Sequence, residues 1–197
     1  MSDETIRALV AANPGQGTFE EYRLVRECIS SRAPCNLLVF GVGRDSALWL
    51  DANEGGVTVF LESDAVWIAT VRNDHPGIVA WPVAWRGRRF LWPLLRTLRR
   101  GAKATFGVDP TRTLTMGRLP PAVEETCWHV ILVDAPRGLR WHHRGRVGSI
   151  HTAARLGRRG QAVHDCHRAV ERQCCDEFIG ADRLVAQVGS MRHYRFD

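Results

Sequence analysis

Short apolar runs alternate with amphipathic stretches along most of the chain. The runs at residues 37–40 and 57–61 consist of branched and aromatic side chains, as expected for strands buried on both faces of a parallel sheet. Further strands are predicted over residues 77–85, 129–133 and 161–163. Strands that alternate with helices indicate the α/β class, in which helices cover both faces of a mostly parallel sheet.

Helix signals fill the stretches between these runs. Thr18 and Glu21 have the spacing of a capping box, within a helical lead-in over residues 1–32. Asp64 is the predicted N-cap of a later helix, whose packing side is predicted to be Val66, Trp67, Ala69 and Thr70. Helices are predicted over residues 44–50, 64–73, 86–100, 147–158 and 168–178.

The last two apolar runs predict an antiparallel hairpin at the carboxyl terminus. They cover residues 184–188 and 191–196 and are joined by Gly189 and Ser190. The chain has 197 residues and no internal repeat, which favours one domain over residues 1–197.

Composition agrees with a water-soluble globular protein, since 45% of the residues are hydrophobic and 24% are charged. No apolar run approaches the roughly 20 residues that span a bilayer. The amino terminus carries no secretory segment. We therefore expect a cytosolic protein with no membrane partner, in which the 6 cysteines are free thiols.

The net charge of +6 comes almost entirely from arginine, because Lys103 is the only lysine. This preference is common in GC-rich bacterial genomes, so we expect a bacterial protein and take no function from the preference itself. A basic surface favours anionic partners. The basic residues are scattered rather than aligned with aromatic residues along one helix, which argues against nucleic acid as the partner.

A glycine turn follows the first strand directly. Gly41 and Gly43 allow a sharp bend and close approach of a ligand to the main chain. Glu62 ends the second strand about 20 residues later, where an acid accepts hydrogen bonds from ribose hydroxyls. Ser46 replaces the third glycine of a dinucleotide fingerprint. This favours S-adenosylmethionine, which has no diphosphate; an ordinary turn with a solvated Glu62 is the alternative.

Further acidic residues lie near the predicted carboxyl edge of the sheet, where ligands bind in such folds. Asp45 and Ser46 either bind the methionine part of the cofactor or cap the next helix. Asp134 ends the fourth strand, where methyl-transferring folds place the residues between the methyl donor and its acceptor. His164 and Asp165 follow the fifth strand. The last three either hold a divalent metal or include the general base, unless Asp165 only caps a helix.

The loop after the fourth strand is rich in arginine, histidine and one tryptophan. Its guanidinium groups suit a carboxylate or a phosphate because they bind such groups through two parallel hydrogen bonds. Trp141 is a candidate for stacking on a sugar face, whereas His142 and His143 are interpreted as solvated. The arginines of this loop are Arg137, Arg140, Arg144 and Arg146.

Five motifs in this order resemble a known family. They are FGVGRDS, TVFLESDAVWIATV, WHVILVDAPRG, GRVGSIHTAARLGRR and HDCHRAVERQCCDEF. The chain is similar, from about residue 36 onward, to the polysaccharide-biosynthesis domain family of plant glucuronoxylan 4-O-methyltransferases and irregular-xylem proteins. The resemblance implies a class I Rossmann-like methyltransferase that uses S-adenosylmethionine. It also implies an acceptor such as a glucuronosyl residue that is methylated on O4.

Residue roles follow from the motifs and the resemblance together. Gly41, Gly43, Asp45 and Ser46 would hold the methionine part, Glu62 the ribose, and the end of the third strand the adenine, with Asp134 nearby. Asp165 or His164 would take the proton, and Arg137 would hold an acceptor carboxylate. A small specialised metabolite as substrate, intramolecular chemistry that releases methylthioadenosine, and a non-catalytic cofactor-binding module are the alternatives.

Overall fold

The computed structural model shows a seven-stranded sheet in the order β3-β2-β1-β4-β5-β7-β6. It describes residues 3–85, 116, 118–136, 145–157, 161–165 (main chain only) and 169–196. The strands are β1 Asn36–Phe40, β2 Val57–Glu62, β3 Val79–Pro82, β4 Val130–Val133, β5 Gln161–Asp165, β6 Leu184–Val188 and β7 Met191–Arg195.

Strands β1 to β5 are mutually parallel, and the final hairpin is antiparallel. Leu38 of β1 aligns with Val59 of β2 on one side and with Ile131 of β4 on the other. The last strand, β7, lies between β5 and β6 and runs antiparallel to both. The predicted α/β fold with a carboxyl-terminal antiparallel hairpin is therefore confirmed, including the mostly parallel sheet.

Most of the described helices lie where the hydrophobic pattern predicts them; the exception is the short helix Pro121–Glu125, in a stretch predicted to hold loops and one strand. The described helices are α1 Asp3–Ala12, α2 Phe19–Ser30, α3 Ser46–Ala52, α4 Ala65–Asp74, α5 Pro121–Glu125, α6 Val147–Leu156 and α7 Ala169–Cys175, with a π-helical turn over Asp176–Gly180. The predicted capping box is present, since Thr18 and Glu21 each accept from the other's main-chain N–H. The helix predicted over residues 86–100 lies outside the described residues.

One prediction about α4 is wrong. The side chains predicted to pack against the sheet were Val66, Trp67, Ala69 and Thr70. The structure buries Ile68 and Val71 instead, leaves Val66 77% exposed and also exposes Ala69 and Thr70. Of the four predicted side chains, only Trp67 packs against the core, where it is partly buried. The N-cap Asp64 is as predicted, because its carboxylate accepts from the N–H groups of Val66 and Trp67.

The two faces of the sheet form separate hydrophobic clusters. In β1, Leu38 and Phe40 point into the cluster with Trp128 and Ile150, whereas Leu37 and Val39 point into the cluster beneath α2. These four side chains are at most 2% exposed. Full burial of such side chains contributes about 1.5–3 kcal/mol each, so β1 is the centre of the fold.

Glu21 fixes the lead-in helix α2 to the far end of the chain. Its carboxylate accepts hydrogen bonds from the N–H and the hydroxyl of Ser190, at 2.6 and 2.7 Å, as well as from Thr18. Ser190 lies in the turn between β6 and β7, and the Glu21 side chain is almost fully buried. The helix is therefore packed against the sheet rather than free to close over a ligand. Within the described residues, no helix is long and apolar enough to cross a membrane.

Candidate functional site

The strand order reverses between β1 and β4, which are parallel neighbours in the centre of the sheet: β2 and β3 follow on one side of β1, and β4 and β5 on the other. Ligands of α/β sheets bind in the crevice at such a point, outside the carboxyl ends of the strands. The loops after β1 and β4 touch there, because a Cβ atom on Gly41 would lie 2.8 Å from Cβ of Ala135. Gly41 has a φ of +114°, which L side chains rarely adopt. Glycine is thus required at this position by the protein itself.

Both polar groups of the Val42 peptide unit are bound by side chains. The Val42 N–H donates to Oε2 of Glu62 at 3.2 Å, and the Val42 carbonyl accepts from Nε1 of Trp67 at 2.7 Å. Glu62 ends β2, and Trp67 lies in the first turn of α4. The glycine turn is consequently held between the end of β2 and the start of α4.

Ser46 and Asp45 complete the turn from its other end. The Ser46 hydroxyl accepts from the N–H of Gly43 at 3.0 Å, and Ser46 is only 1% exposed. The Asp45 carboxylate lies over Gly43 so closely that a Cβ atom there would overlap it. Asp45 makes no side-chain capping bond to α3. Neither side chain therefore caps the helix, and the Ser46 hydroxyl is used by the turn itself.

The first three amides of the glycine turn are already bonded within the protein and are not free for a diphosphate. The N–H of Gly41 donates to the carbonyl of Leu61 at 2.8 Å, and those of Val42 and Gly43 donate to Glu62 and Ser46. A dinucleotide cofactor needs such amides to hold its phosphate oxygens. S-adenosylmethionine carries no phosphate, so the residues present fit it better than NAD or FAD.

Glu62 is more heavily engaged than a ribose acceptor needs to be. Its Oε1 accepts from the N–H and hydroxyl of Ser63 at 2.6 and 3.1 Å and from the N–H of Asp64 at 3.1 Å. Its Oε2 accepts only from Val42 in the described part of the chain. Because a carboxylate oxygen has about two acceptor positions, one remains on Oε2 for a hydroxyl. The predicted ribose contact fits, with one hydroxyl rather than two.

Asp134 is paired with a buried arginine. Nη2 of Arg146 donates to Oδ1 of Asp134 at 2.9 Å and to its main-chain carbonyl at 2.6 Å. The Arg146 side chain is 8% exposed and that of Asp134 is 43% exposed. The interpretation of Arg146 as one of the acceptor-binding arginines is therefore wrong. Burial and this pairing instead make it the group that fixes the loop after β4.

Of the remaining predicted site residues, two are described by their main chain and two lie outside the described residues. His164 and Asp165 were predicted to follow the fifth strand, but they are the last two residues of β5, which is longer than expected. Val133 aligns with His164, so Asp134 and Asp165 each come one residue beyond this aligned pair. The structure describes only the main chain of His164 and Asp165, while Arg137 and Trp141 lie outside the described residues.

A metal site stays a prediction. Among the side chains that the structure describes, no group of three His, Cys, Asp or Glu residues has the arrangement of a metal site. The predicted set of Asp134, His164 and Asp165 includes two side chains outside that part. The guanidinium of Arg146 already bonds Asp134 and would compete with a divalent cation for its carboxylate.

Sequence reasoning missed two residues of the site, Trp67 and Arg146. Trp67 was assigned to helix packing alone, and its indole N–H also donates to the Val42 carbonyl. Arg146 was counted with a basic loop. The available signal for Trp67 was its position three residues after the N-cap Asp64, which places it next to the carboxyl end of β2. No local signal marked Arg146 as buried.

Comparison with known proteins agrees with this geometry. The sequence profile of the family described as IRX15/IRX15L/GXM matches residues 20–194. The chain belongs to this family. It is 33% identical over 204 residues to glucuronoxylan 4-O-methyltransferase 2 of Arabidopsis thaliana, and the match covers 98% of this chain and 70% of the relative. The resemblance found in the sequence motifs is confirmed.

Solved structures show the same fold. A methyltransferase-like protein from Silicibacter pomeroyi has a TM-score of 0.53 at 16% identity, covering 90% of this chain and 84% of that one. A TehB-like SAM-dependent methyltransferase from Corynebacterium glutamicum has a TM-score of 0.51 at 15% identity, covering 98% and 95%. The Rossmann-like methyltransferase fold is confirmed.

The named relative is thus a methyltransferase, and the chain has the fold of S-adenosylmethionine-dependent methyltransferases. The named relative is a plant protein, so the expected bacterial source gains no support from it. The cytosolic location and the single domain over residues 1–197 stay predictions.

Proposed function

We propose that this protein transfers a methyl group from S-adenosylmethionine to the O4 hydroxyl of a glucuronosyl residue in a saccharide. The observation that carries the proposal is the closure of the glycine turn by Glu62 and Trp67 beside the loop that carries Asp134. The relative named as a glucuronoxylan 4-O-methyltransferase supports the choice of acceptor and of hydroxyl.

The cofactor side of the site is assigned to described residues. Glu62 accepts a bond from one ribose hydroxyl through Oε2, while its other oxygen stays bonded to Ser63 and Asp64. We assign the ammonium group of the methionine part to the Asp45 carboxylate, and the position of this carboxylate over Gly43 supports the assignment. When bound, S-adenosylmethionine supplies a methyl group that its sulfonium has already activated. The protein's own task is alignment and proton removal.

The acceptor side needs a base and a group that binds the acceptor carboxylate. An alcohol is a poor nucleophile until its proton is taken, so a general base must lie within hydrogen-bond reach of the hydroxyl. We assign that proton to Asp165, with His164 as the alternative, and the acceptor carboxylate to Arg137. Trp141 stacks on the sugar face in this proposal. Asp134 is assigned to holding the loop, because Arg146 already binds it.

The test is a methylation assay with matched acceptors. Purified protein, S-adenosylmethionine and xylo-oligosaccharides bearing glucuronic acid should give S-adenosylhomocysteine and a product methylated on O4, both detected by mass spectrometry. Oligosaccharides that bear glucose instead of glucuronic acid lack the carboxylate and should react much more slowly. Equal rates with both acceptors, or methylation at another position, would contradict the assignment.

The by-products separate the rival functions. Intramolecular chemistry of the cofactor would release methylthioadenosine without any acceptor. A non-catalytic cofactor-binding module would bind S-adenosylhomocysteine in calorimetry and give neither by-product. Adding a chelator to the methylation assay decides whether a divalent metal belongs to the proposal: loss of turnover that divalent ions restore would assign one.

A further inference from the structure

Arg44 is the one arginine of the glycine turn, between Gly43 and Asp45. Its side chain is exposed, and its Nη1 donates to Oδ1 of Asn13 at 3.4 Å. Within the part of the chain that the structure describes, Arg44 forms no ion pair. Arg26, Arg155 and other arginines do pair with a carboxylate. The guanidinium therefore retains donors that a carboxylate could accept.

Asn13 holds Arg44 from the end of α1. It is only 6% exposed, and its Nδ2 donates to the carbonyl of Leu9 at 2.8 Å. Because the amide nitrogen is bound in this way, the amide oxygen is turned toward Arg44. The main chain of Asn13 is fixed as well, by bonds with Val10 and Gln16. The chain between α1 and α2 is thus brought to the glycine turn by a buried residue.

The methionine part of the cofactor is a zwitterion at neutral pH. Its α-ammonium group requires an acceptor, and its α-carboxylate requires a donor, preferably one that is charged. Asp45 supplies the first, since its carboxylate lies over Gly43. Arg44 is adjacent in the chain and has the opposite charge. A guanidinium binds a carboxylate through two parallel hydrogen bonds, and its other donors can keep the bond with Asn13.

We propose that Arg44 binds the α-carboxylate of the methionine part of S-adenosylmethionine and that Asn13 positions the guanidinium for it. The proposal rests on the assignment of S-adenosylmethionine as cofactor. It adds a residue that the motif analysis passed over and gives the segment between α1 and α2 a part in the cofactor site.

A pair of ligands isolates this contact without measuring turnover. S-adenosylhomocysteine carries the amino-acid part, whereas methylthioadenosine contains the same nucleoside and sulfur without it. We expect Arg44→Gln to weaken S-adenosylhomocysteine binding about tenfold, measured by calorimetry, and to leave methylthioadenosine binding unchanged. Arg44→Lys keeps the charge but loses the two-point geometry, so its loss should be smaller. Arg23→Gln, on the exposed side of α2, removes the same charge and should change neither affinity.

The other outcomes are distinguishable. Unchanged S-adenosylhomocysteine affinity in Arg44→Gln would show that Arg44 is an ordinary solvated side chain and would overturn the proposal. An equal loss for both ligands would overturn it too, because Arg44 would then act on the whole turn. If the wild-type protein bound neither ligand, the cofactor assignment would fail and this contact with it.

Discussion

The proposed cofactor side of the site and the proposed acceptor side are built from very different lengths of chain. On the cofactor side, Val42 is bound by Glu62 and Trp67, residues 20 and 25 positions further along. One strand–turn–helix–strand unit and the first turn of α4 therefore supply most of that surface. On the proposed acceptor side, Asp134 directly follows β4, Asp165 is the last residue of β5, and Arg146 directly precedes α6.

This difference explains why residues on the cofactor side are easier to predict from the sequence than residues on the acceptor side. A contiguous unit carries its own turn and capping signals, so its parts are recognised together. The acceptor side exists only when separate strand ends are brought to one edge by the sheet. Variants on the cofactor side should therefore change binding, and variants on the acceptor side should change turnover with binding intact.

The largest effect is expected at Asp165. If Asp165 is the base, Asp165→Asn should lower turnover about 10²–10⁴-fold and leave S-adenosylhomocysteine affinity unchanged in calorimetry. Asp176→Asn, at a surface ion pair with Arg192, is the matched control and should keep turnover. Near-normal turnover in Asp165→Asn, with chelator also harmless, would exclude both the base and the metal at this position and remove the contrast between the two sides.

Glu62→Ala should have the next largest effect, on binding. The variant loses the ribose acceptor and also leaves the N–H of Val42 without its partner. Because hydrogen bonds to charged groups contribute about 1.5–3 kcal/mol, affinity for S-adenosylhomocysteine should fall roughly tenfold or more. Glu124→Ala removes a carboxylate paired with Arg155 far along the chain and is the control. Unchanged affinity in calorimetry would remove Glu62 from the cofactor site.

Trp67→Phe should have a smaller effect of the same kind. The variant keeps an aromatic ring at this position, but the Val42 carbonyl loses its hydrogen bond from the indole N–H at 2.7 Å. A neutral hydrogen bond contributes about 0.5–1.5 kcal/mol, so S-adenosylhomocysteine affinity should fall a few-fold, with the KM for S-adenosylmethionine rising and kcat unchanged.

Trp128→Phe provides the matched control for that change. Its Nε1 donates to the carbonyl of Val123 at 2.9 Å, in the buried core and outside the glycine turn. This variant should lower the melting temperature and leave the affinity intact. If the two variants behaved alike, Trp67 would have a structural role only.

The smallest effect concerns pH and separates stability from catalysis. Burial, together with the nearby charges of Arg32 and Arg195, lowers the pKa of His193 from 6.5 to about 4. Nε2 of His193 lies 3.6 Å from the thiol of Cys28, whose own pKa burial raises to about 11, so both groups are neutral near pH 7.

Because the unfolded chain binds this proton more readily, stability should be complete above about pH 6.5 and fall as the pH is lowered toward 4. Melting temperatures of the wild type and of His193→Gln across this range check the sign. In His193→Gln the melting temperature should depend much less on pH over this range. The fall of turnover at acid pH should be the same as in the wild type. An unchanged slope in the variant would assign the acid sensitivity to another group.

Sequence features that depend on residues close together in the chain were correctly interpreted. The Thr18–Glu21 capping box, the Asp64 N-cap and the alternation of strands with helices are all present. The glycine turn directly after β1 and the acid that ends β2 lie where the sequence placed them, and the structure adds the bond from the Val42 N–H to Glu62. These features depend on main-chain geometry and on bonds between near neighbours, and such bonds are fixed by residue type and spacing.

Tertiary structure decided what depends on distant partners. The amphipathic pattern did not determine which side of α4 is buried, because packing on the sheet sets the rotation of a helix about its axis. Only the folded chain brings Arg146 to Asp134 and Asn13 to Arg44, and only the sheet places β7 between β5 and β6. Each of these contacts is the result of competition among many possible partners for burial and hydrogen bonds. The sequence alone therefore determined the fold class and the position of the glycine turn, and the tertiary structure decided which side chains hold that turn.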